Sequence, residues 1–302
     1  MHLQRYDDGV GFLEAAGEYL YRDEVIHGVL IGVAGRAEDH TAEGQTPYLA
    51  TISDHDQIRA VAVMTPPHRL LIGADPQDQG VLDVLVEDLR QAGRMVPGVT
   101  GPVAVADAFA TTWSRGAAFD LRRGMAMMVF ELRQVRRPTG VSGQPRWARP
   151  EEVDLLADWV DAFNVEVHQT PRPSLEQVRE RVLERIHSQN VLVWEDEGRP
   201  VSLASRSRPS PRGTAINCVR TPPAYRRRGY ASACVAELSQ RILDDGKLFC
   251  TLFTDLPIRH RITSTVRSAS NRGGSSSNCI STDSPLSGIL WHLNPQGVVS
   301  AL

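Results

Sequence analysis

Apolar residues recur along the second half of the chain with two spacings, and each spacing predicts a different element. Intervals of three and four residues predict a helix over 233–244, with apolar positions Val235, Leu238, Ile242 and Leu243. Short apolar runs bounded by turn formers predict buried strands. The strands predicted in this way are 191–195, 201–205, 214–219 and 248–253. A strand therefore lies on each side of the helix over 233–244.

Two further helices are predicted ahead of these strands. Residues 151–160 form an amphipathic pattern with acidic residues at its start, which suits the positive end of a helix. Ser174 is a suitable N-cap for a second helix that runs to Ile186. The predicted order is two helices, three strands, a helix and a strand.

The segment that joins the strand 214–219 to the next helix carries the most informative motif. It reads Arg226-Arg227-Arg228-Gly229-Tyr230-Ala231-Ser232. Gly229 lets the backbone approach a ligand closely, and the small residues after it keep the first helical turn slim. The N–H groups of that turn carry the positive end of the helix dipole, and the arginines add charged donors. Such a loop is suited to hold a diphosphate, and the plain alternative is a solvated basic turn.

Residues 226–231 fit the Arg-x-x-Gly-x-Gly/Ala signature of the GNAT superfamily of N-acetyltransferases, and the chain resembles that family. The resemblance implies an α/β (α+β) fold with a mixed central sheet flanked by helices. It also implies acetyl-coenzyme A as cofactor, with the pyrophosphate on the loop and the pantetheine arm along the preceding strand. The cofactor-binding residues implied are Cys218, Val219, Arg226, Arg227, Arg228, Gly229, Tyr230, Ala231 and Ser232.

The first half of the chain is compatible with a second, degenerate copy of the same fold. Its predicted strands are 48–53, 60–64, 70–72 and 125–132, and its predicted helices are 81–92 and 103–113. The segment 97–102, rich in glycine and proline, is interpreted as a turn. No arginine-glycine signature precedes the helix over 81–92, so no phosphate loop is expected there. This half either shapes a substrate cleft or an oligomer contact, or is purely structural.

Length and composition agree with two domains. A chain of 302 residues exceeds the size at which one core stops growing. We predict a degenerate domain over 1–135, a linker over 136–144, an acetyltransferase domain over 145–256 and an aberrant tail over 257–302. The net charge of −3 argues against nucleic acid as the main partner. No membrane span or secretory signal is visible, so we expect a cytoplasmic protein.

The four cysteines show no paired spacing, so neither a metal site nor a disulfide framework is expected. We expect Cys218, Cys234, Cys250 and Cys279 to be buried small hydrophobes in a reducing compartment. Acetyl transfer to an amine also needs a group that accepts the amine proton. Glu166, His168 and Glu195 are the candidates for this base, although each residue type is more often structural or solvated. Asn164, Glu166 and His168 are placed just after the first helix of the domain.

The resemblance ends after Leu256, where the composition changes. Residues 257–302 hold ten serines and one acidic residue, Asp283, whereas the other 35 acidic residues precede them. The family pattern would continue with an asparagine-containing loop and a helix bearing Ile-Tyr. In the family that tyrosine is commonly the acid that protonates the coenzyme A thiolate. Neither feature can be assigned to a residue of this tail.

A shifted reading frame explains the departure. Permitted codons for residues 256–272 can be chosen so that, from the third base of each, they spell Ala-Asn-Pro-Thr-Ser-Asn-Asn-Ile-Tyr-Arg-Ser-Ile-Gly-Phe-Glu-Pro. That is the segment which the family pattern leads us to expect after Leu256. We therefore hypothesise a net loss of one base near the Leu256 codon, in the gene or in its sequencing.

The function that the resemblance implies is transfer of acetyl from acetyl-coenzyme A to a small-molecule or peptide amine by direct attack. Two alternatives stay open. The first is a protein that binds coenzyme A with little or no turnover, because the C-terminal catalytic segment is lost. The second is an interaction module that uses the basic loop to bind phosphorylated or nucleic-acid partners. A homo-oligomer is compatible with each of them.

Overall fold

The computed structural model describes residues 1–115, 120–167, 172–255 and 287–294. These residues divide into two units. The first unit comprises residues 1–129 with 254–255 and 287–294, and the second comprises residues 130–253. The predicted division at 136–144 stays a prediction.

The first unit is a mixed sheet with helices on both faces. Its strands are β1 (His2–Tyr6), β2 (Tyr48–Asp54), β3 (Gln57–Met64), β4 (Leu70–Ala74), β5 (Gly98–Pro102), β6 (Asp120–Leu132) and the last strand of the chain, β12 (Ser287–Asn294). Its helices are α1 (Gly9–Tyr21), α2 (Glu24–Ala34), α3 (Ala37–His40), α4 (Gln79–Gln91) and α5 (Val103–Ser114). The strand order is β1-β2-β3-β4-β5-β12-β6, and β4 and β5 run parallel. One apolar core lies under α4 and α5, and a second lies under α1 and α2.

The structure confirms the strands and helices predicted in this unit and adds elements that the pattern missed. The segment 97–102 is not a turn, because residues Gly98–Pro102 form β5 and pair with β4. Glycine has a packing role here. A Cβ on Gly101 would lie 2.7 Å from the backbone oxygen of Ile72, so only glycine lets the two strands approach this closely. The elements missed altogether are β1, α1, α2 and α3.

The second unit is a five-stranded sheet covered by three helices. Its strands are β7 (Gln144–Trp147), β8 (Val191–Asp196), β9 (Arg199–Ser207), β10 (Gly213–Arg220) and β11 (Phe249–Asp255). Its α-helices are α6 (Val153–Glu166), α7 (Leu175–His187) and α8 (Tyr230–Asp244), and short 3₁₀ turns cover Pro150–Glu152 and Pro223–Tyr225. The order is β11-β10-β9-β8-β7, with β10 and β11 parallel and the other pairs antiparallel.

The two faces of this sheet bury different helices. Val191, Val193 and Leu203 point toward α6 and α7, whereas Leu192 and Ala204, one position further along their strands, point toward α8. The sequence predictions for this unit are confirmed, including Ser174 as the N-cap of α7, where it forms a capping box with Gln177. Helix α6 is longer than predicted. Asn164 and Glu166 therefore lie on its last turn rather than after it.

The tail contributes one described element. Strand β12 pairs antiparallel with both β5 and β6, so it fills the position between them in the first unit. The remaining residues of the predicted tail, and Cys279 among them, lie outside the described residues. Among the helices of the described ranges, none has both the length and the hydropathy that crossing a bilayer requires.

A half-buried ion cluster links β7, β8 and Glu152 at the edge of the second sheet. Arg146 on β7 contacts Glu152 at 2.5 Å and Glu195 on β8 at 2.6 Å, and each of the three side chains is about 15% exposed. Glu152 also accepts a hydrogen bond from the backbone N–H of Arg149. Burial by itself raises the pKa of Glu152, but the hydrogen bonds from Arg146 and Arg149 outweigh it and hold that pKa below the ordinary 4.5.

We expect Glu152→Gln to lower the free energy of unfolding by about 1–3 kcal/mol at pH 7, because a charged hydrogen bond is lost from a covered site. A carboxyl with a lowered pKa stabilises the fold above its unfolded pKa, and that stability is lost as pH falls through the folded pKa. The difference between wild type and variant should therefore shrink below pH 4.5. Urea unfolding at pH 7 and pH 4 measures it.

Glu180→Gln, the same change at an exposed position of α7, is the matched control and should leave stability nearly unchanged. An equal loss in both variants would show that the ion cluster does not stabilise the fold.

Candidate functional site

Strands β10 and β11, the parallel pair at one edge of the second sheet, separate halfway along their length. Four residue pairs join β10 to β11, and the last of them is Ile216 with Leu252. Both strands continue beyond this pair, to Arg220 and Asp255 respectively. Within the described residues no further pair joins them. Among the described residues the backbone of β10 beyond Ile216 therefore has no strand partner on the β11 side, and it suits a ligand that can hydrogen-bond as a strand does.

A bulge in β10 causes this opening. Cys218 has φ of 47°, in the left-handed region that residues with a Cβ rarely adopt, and the pairing of β10 with β9 shifts register between Asn217 and Arg220. The bulge turns the end of β10 away from β11. The thiol of Cys218 is buried among the residues facing α6 and α7, so the part of this residue that faces the opening is backbone.

The predicted phosphate loop lies directly after the end of β10. Gly229 is the N-cap of α8 with φ of 85°, and Arg227 has φ of 67°. Backbone turns with such left-handed residues direct successive N–H groups to one side and form an anion-binding concavity. The first N–H groups of α8 have no partner within the helix and join this concavity. The segment therefore provides backbone donors for an anion.

Glycine at position 229 meets two constraints at once. Its φ is strained for any residue with a Cβ, and a Cβ placed there would lie 2.9 Å from Cγ2 of Val141. Val141 belongs to the segment 136–144 that the sequence predicted as a linker. That segment is thus one wall of the loop rather than a free tether.

Ion pairs fix the entrance to the loop. Glu166, at the end of α6, contacts Arg220 at 2.7 Å and Arg226 at 3.0 Å. Arg226 also donates from Nε to the backbone oxygen of Thr221, which closes the turn on itself. Arg226 is therefore occupied in holding the loop. Arg227 and Arg228 are exposed and are the side chains placed to meet an anion from solvent.

A hydrogen-bond network anchors the first residue of α8. The hydroxyl of Tyr230, which is 3% exposed, donates to Oδ2 of Asp196 at 2.5 Å. The same carboxylate accepts a hydrogen bond from Ser142 at 3.0 Å, and Trp194 Nε1 donates to the backbone oxygen of Ser142 at 2.7 Å. Tyr230 thus contributes only its backbone to the loop. Its side chain ties α8 to β8 and to residues 141–142.

The remaining predicted cofactor-binding residues fit a diphosphate in their size and position. Ala231 and Ser232 are half-buried in the first turn of α8, where larger side chains would cover the N–H groups. Val219 is half-buried on the α8 side of the sheet. The structure therefore brings all nine predicted residues to one end of β10 and the adjacent loop. Their contact with coenzyme A stays a prediction.

Arginine partners contact two of the candidate bases, and these contacts argue against a role as general base. Burial by itself raises the pKa of Glu166, but the hydrogen-bonded guanidinium groups of Arg220 and Arg226 outweigh it and leave the pKa below its ordinary value. Hydrogen bonds from Arg146 likewise lower the pKa of Glu195, which lies two strands from β10. A carboxylate with a lowered pKa is a weak base near neutral pH. His168 lies outside the described residues.

The three thiols in the described part of the chain are inert. Burial raises the pKa of Cys218 and of Cys250 to about 12, and it raises the pKa of Cys234 as well. A thiol of that kind is protonated near neutral pH and is not a nucleophile. Within the described ranges no three or more His, Cys, Asp or Glu side chains are grouped as metal ligands would be.

We expect Tyr230→Phe to lower the free energy of unfolding by about 1–3 kcal/mol, because the half-buried carboxylate of Asp196 loses a short hydrogen bond. Tyr225→Phe is the matched control, since the hydroxyl of Tyr225 makes no hydrogen bond within the described residues. Urea unfolding of both variants and the wild type measures the difference. Similar stabilities for the two variants would show that the Asp196 network does not anchor α8.

Comparison with known proteins shows what part of this chain is similar to. Residues 153–260 match the model of the acetyltransferase (GNAT) family. No curated protein matches the sequence. Among solved structures, a GNAT-family acetyltransferase from Colwellia psychrerythraea aligns with 97% of this chain and 99% of its own, at 9% identity and a TM-score of 0.59.

Two further structures show the same fold. A GCN5-related N-acetyltransferase from Sphaerobacter thermophilus aligns with 97% of this chain and 95% of its own, at 14% identity and a TM-score of 0.58. A Drosophila protein aligns with 97% of this chain and 98% of its own, at 11% identity and a TM-score of 0.61. Because these alignments span both halves, they confirm the predicted tandem arrangement of the fold. Residues 153–260 are therefore similar to the acetyltransferase (GNAT) family, and the chain shares the fold of these solved structures.

Proposed function

We propose that the second unit binds acetyl-coenzyme A at the loop 226–232 and passes the acetyl group to a primary amine. The proposal rests on one observation. Strand β10 separates from β11 after Ile216, and the chain then leads into a helix that is capped by a glycine. An open strand edge suits the amide-containing pantetheine arm, and the helix N-terminus suits the diphosphate. The two features are consecutive in the chain and follow one another in the order that a single extended ligand would need.

Each part of the site has a role that its chemistry supports. The N–H groups from Gly229 onward and the side chains of Arg227 and Arg228 would bind the diphosphate. The backbone of Cys218 and Val219 would hold the arm. When bound, acetyl-coenzyme A supplies an acetyl thioester that is reactive toward amines. The chain then serves by binding and orienting the donor beside the acceptor.

Direct attack by the amine is the mechanism that the described residues favour. An acyl-enzyme route would need an activated nucleophile. Burial keeps Cys218, Cys234 and Cys250 protonated, and each has its thiol enclosed. No general base is assigned, since Glu166 and Glu195 are both committed to arginines. The acceptor is a small-molecule or peptide amine.

A cofactor titration on variants of Gly229 tests the proposal. Gly229→Ala introduces the strain of a left-handed residue and the contact with Val141, at a cost of about 1–2 kcal/mol in stability. Gly229→Asp adds a negative charge to the same distortion. We expect the Asp variant to bind acetyl-coenzyme A at least about tenfold more weakly than the Ala variant, a difference of about 1.4 kcal/mol.

Isothermal titration calorimetry gives both affinities, and Gly246→Asp, at a left-handed position after α8 with open space around it, is the control. Equal affinities for the Ala and Asp variants would contradict a diphosphate at this loop.

Binding without turnover is the second candidate function, because the sequence departs from the family pattern after Leu256. We infer that one base was lost there, and insertion of one base into the Leu256 codon restores the family-like segment. We expect both proteins to bind acetyl-coenzyme A and the restored protein to release thiol about 100-fold faster, as a recovered general acid would allow.

Thiol release in the presence of a mixed panel of amines measures turnover, and an intact mass of the natural protein shows which frame it carries. Equal rates in the two proteins would contradict the loss of a catalytic segment. An interaction module, the third candidate, would instead bind nucleic acid with steep salt dependence and without competition from coenzyme A.

A further inference from the structure

A group of polar side chains lies on the face of the second sheet that is turned toward α6 and α7. The register pairs Asn217 with Ser205 and Ala215 with Ser207, so these four residues share one face of β9 and β10. Leu203 and Cys218, on the same face, pack against α6 and α7. An apolar layer would be expected to continue here, but polar residues take its place.

Two atoms of this group, and one atom of the adjacent Arg208, are buried without a hydrogen-bond partner. Among the described residues, Oγ of Ser207, Nε of Arg208 and Oδ1 of Asn217 have none. Each unpaired buried polar atom costs stability, and native proteins contain few of them. Three such atoms on neighbouring residues indicate a site whose partner is a ligand. Ser207 Oγ and Arg208 Nε can donate to an anion, and we name these two residues the anion cradle. Oδ1 of Asn217 is an acceptor and suits an N–H group beside that anion.

Arg208 brings a positive charge to the opening between β10 and β11. It begins the turn after β9 with φ of 48°, and its guanidinium carbon lies 5.6 Å from the centre of the Phe253 ring. Phe253 directly follows Leu252, the last residue of β11 that pairs with β10. The side chain of Arg208 therefore reaches across the sheet to the point where the strands separate.

The charge of the cradle is uncompensated within the described residues. None of their carboxylates forms an ion pair with Arg208, and burial lowers its pKa to about 10, with a further contribution from nearby Arg185. Arg220 is also on this side, but it shares the single carboxylate of Glu166 with Arg226. Positive charge thus exceeds negative charge around the open strand edges.

The cradle is separate from the proposed diphosphate loop. Helix α8, which carries that loop, packs on the opposite face of the sheet. Arg208 directly follows the end of β9, whereas the loop follows the end of β10. A diphosphate on the loop and an anion on the cradle would therefore lie on different faces of the sheet. A bound donor and a bound acceptor could then meet at the strand opening.

We propose that the anion cradle binds a carboxylate or phosphate group on the acceptor, so that the substrate is an amine with a nearby anionic group. The anion would pair with the Arg208 guanidinium and accept a hydrogen bond from the Ser207 hydroxyl. The amine would then lie at the opening beside Asn217. This inference rests on the proposed acetyl transfer, but anion binding can be measured without turnover.

Two pairs of probes that differ only in charge test the inference. The carboxylate pair is β-alanine and β-alaninamide, and the phosphate pair is O-phosphoethanolamine and ethanolamine. Added to the protein with acetyl-coenzyme A at low salt, the anionic member of one pair should raise the thermal unfolding midpoint by about 3 °C at ten times its Kd. Its neutral counterpart should not. The pair with the larger difference identifies the anion.

Arg208→Gln is expected to abolish this difference while raising the midpoint in buffer, because it removes an uncompensated buried charge. Ser207→Ala, a smaller truncation, should reduce the difference in part. Arg212→Gln removes the same charge from an exposed position of the same turn and should preserve it.

Equal shifts from charged and neutral probes, or a preference retained in Arg208→Gln, would overturn the inference. Titration of acetyl-coenzyme A into the same samples keeps the two proposals apart. Donor binding with no anion preference contradicts only the cradle, and an anion preference without donor binding contradicts only the proposed cofactor site.

Discussion

The left-handed backbone at Cys218 is the constraint on which the site depends. A regular β10 would pair with β9 and β11 along its whole length and leave no edge for a ligand. The register shift between Asn217 and Arg220 breaks that pairing, and the strand ends beside the loop. Strain of this kind persists only where the surroundings enforce it. Here the buried thiol, packed against α6 and α7, holds the residue in place.

The supports of the loop come from elements far apart in sequence. Glu166 on α6 fastens Arg220 and Arg226, and Asp196 on β8 fastens Tyr230. The loop is therefore preorganised from both faces of the sheet, which lowers the entropy cost of binding an extended ligand. Glu166 and Glu195, two of the residues predicted as candidate bases, are each paired with an arginine, and their catalytic role stays a prediction. The positive charge that remains lies with exposed arginines on one face and with Arg208 on the other.

The sequence predicts the elements that depend on local residue patterns. It does not predict the features that depend on tertiary contacts. Helices α4 to α8 and strands β8 to β11 are predicted because the spacing of their apolar residues indicates each of them, whereas β7 is not predicted. Strand β5 was taken for a turn because glycine and proline usually mark turns, whereas Gly101 is required by the close approach of Ile72. The loop could be recognised from its arginines and Gly229. Its network through Ser142, Trp194 and Asp196 could not, because no local signal connects residues more than 50 positions apart.

Val141 shows that the segment before β7 supports the site, although the composition of this segment is typical of a linker. A fragment of the protein begun at Gln144 would keep every strand and helix of the second unit. It would nevertheless lack the side chain that contacts Gly229 and the serine that hydrogen-bonds to Asp196. Gly229 would then lose the cover of Val141, and Trp194 would lose the acceptor of its indole N–H. The smallest piece of this chain able to retain the site's geometry therefore begins upstream of Val141, within what looks like a tether.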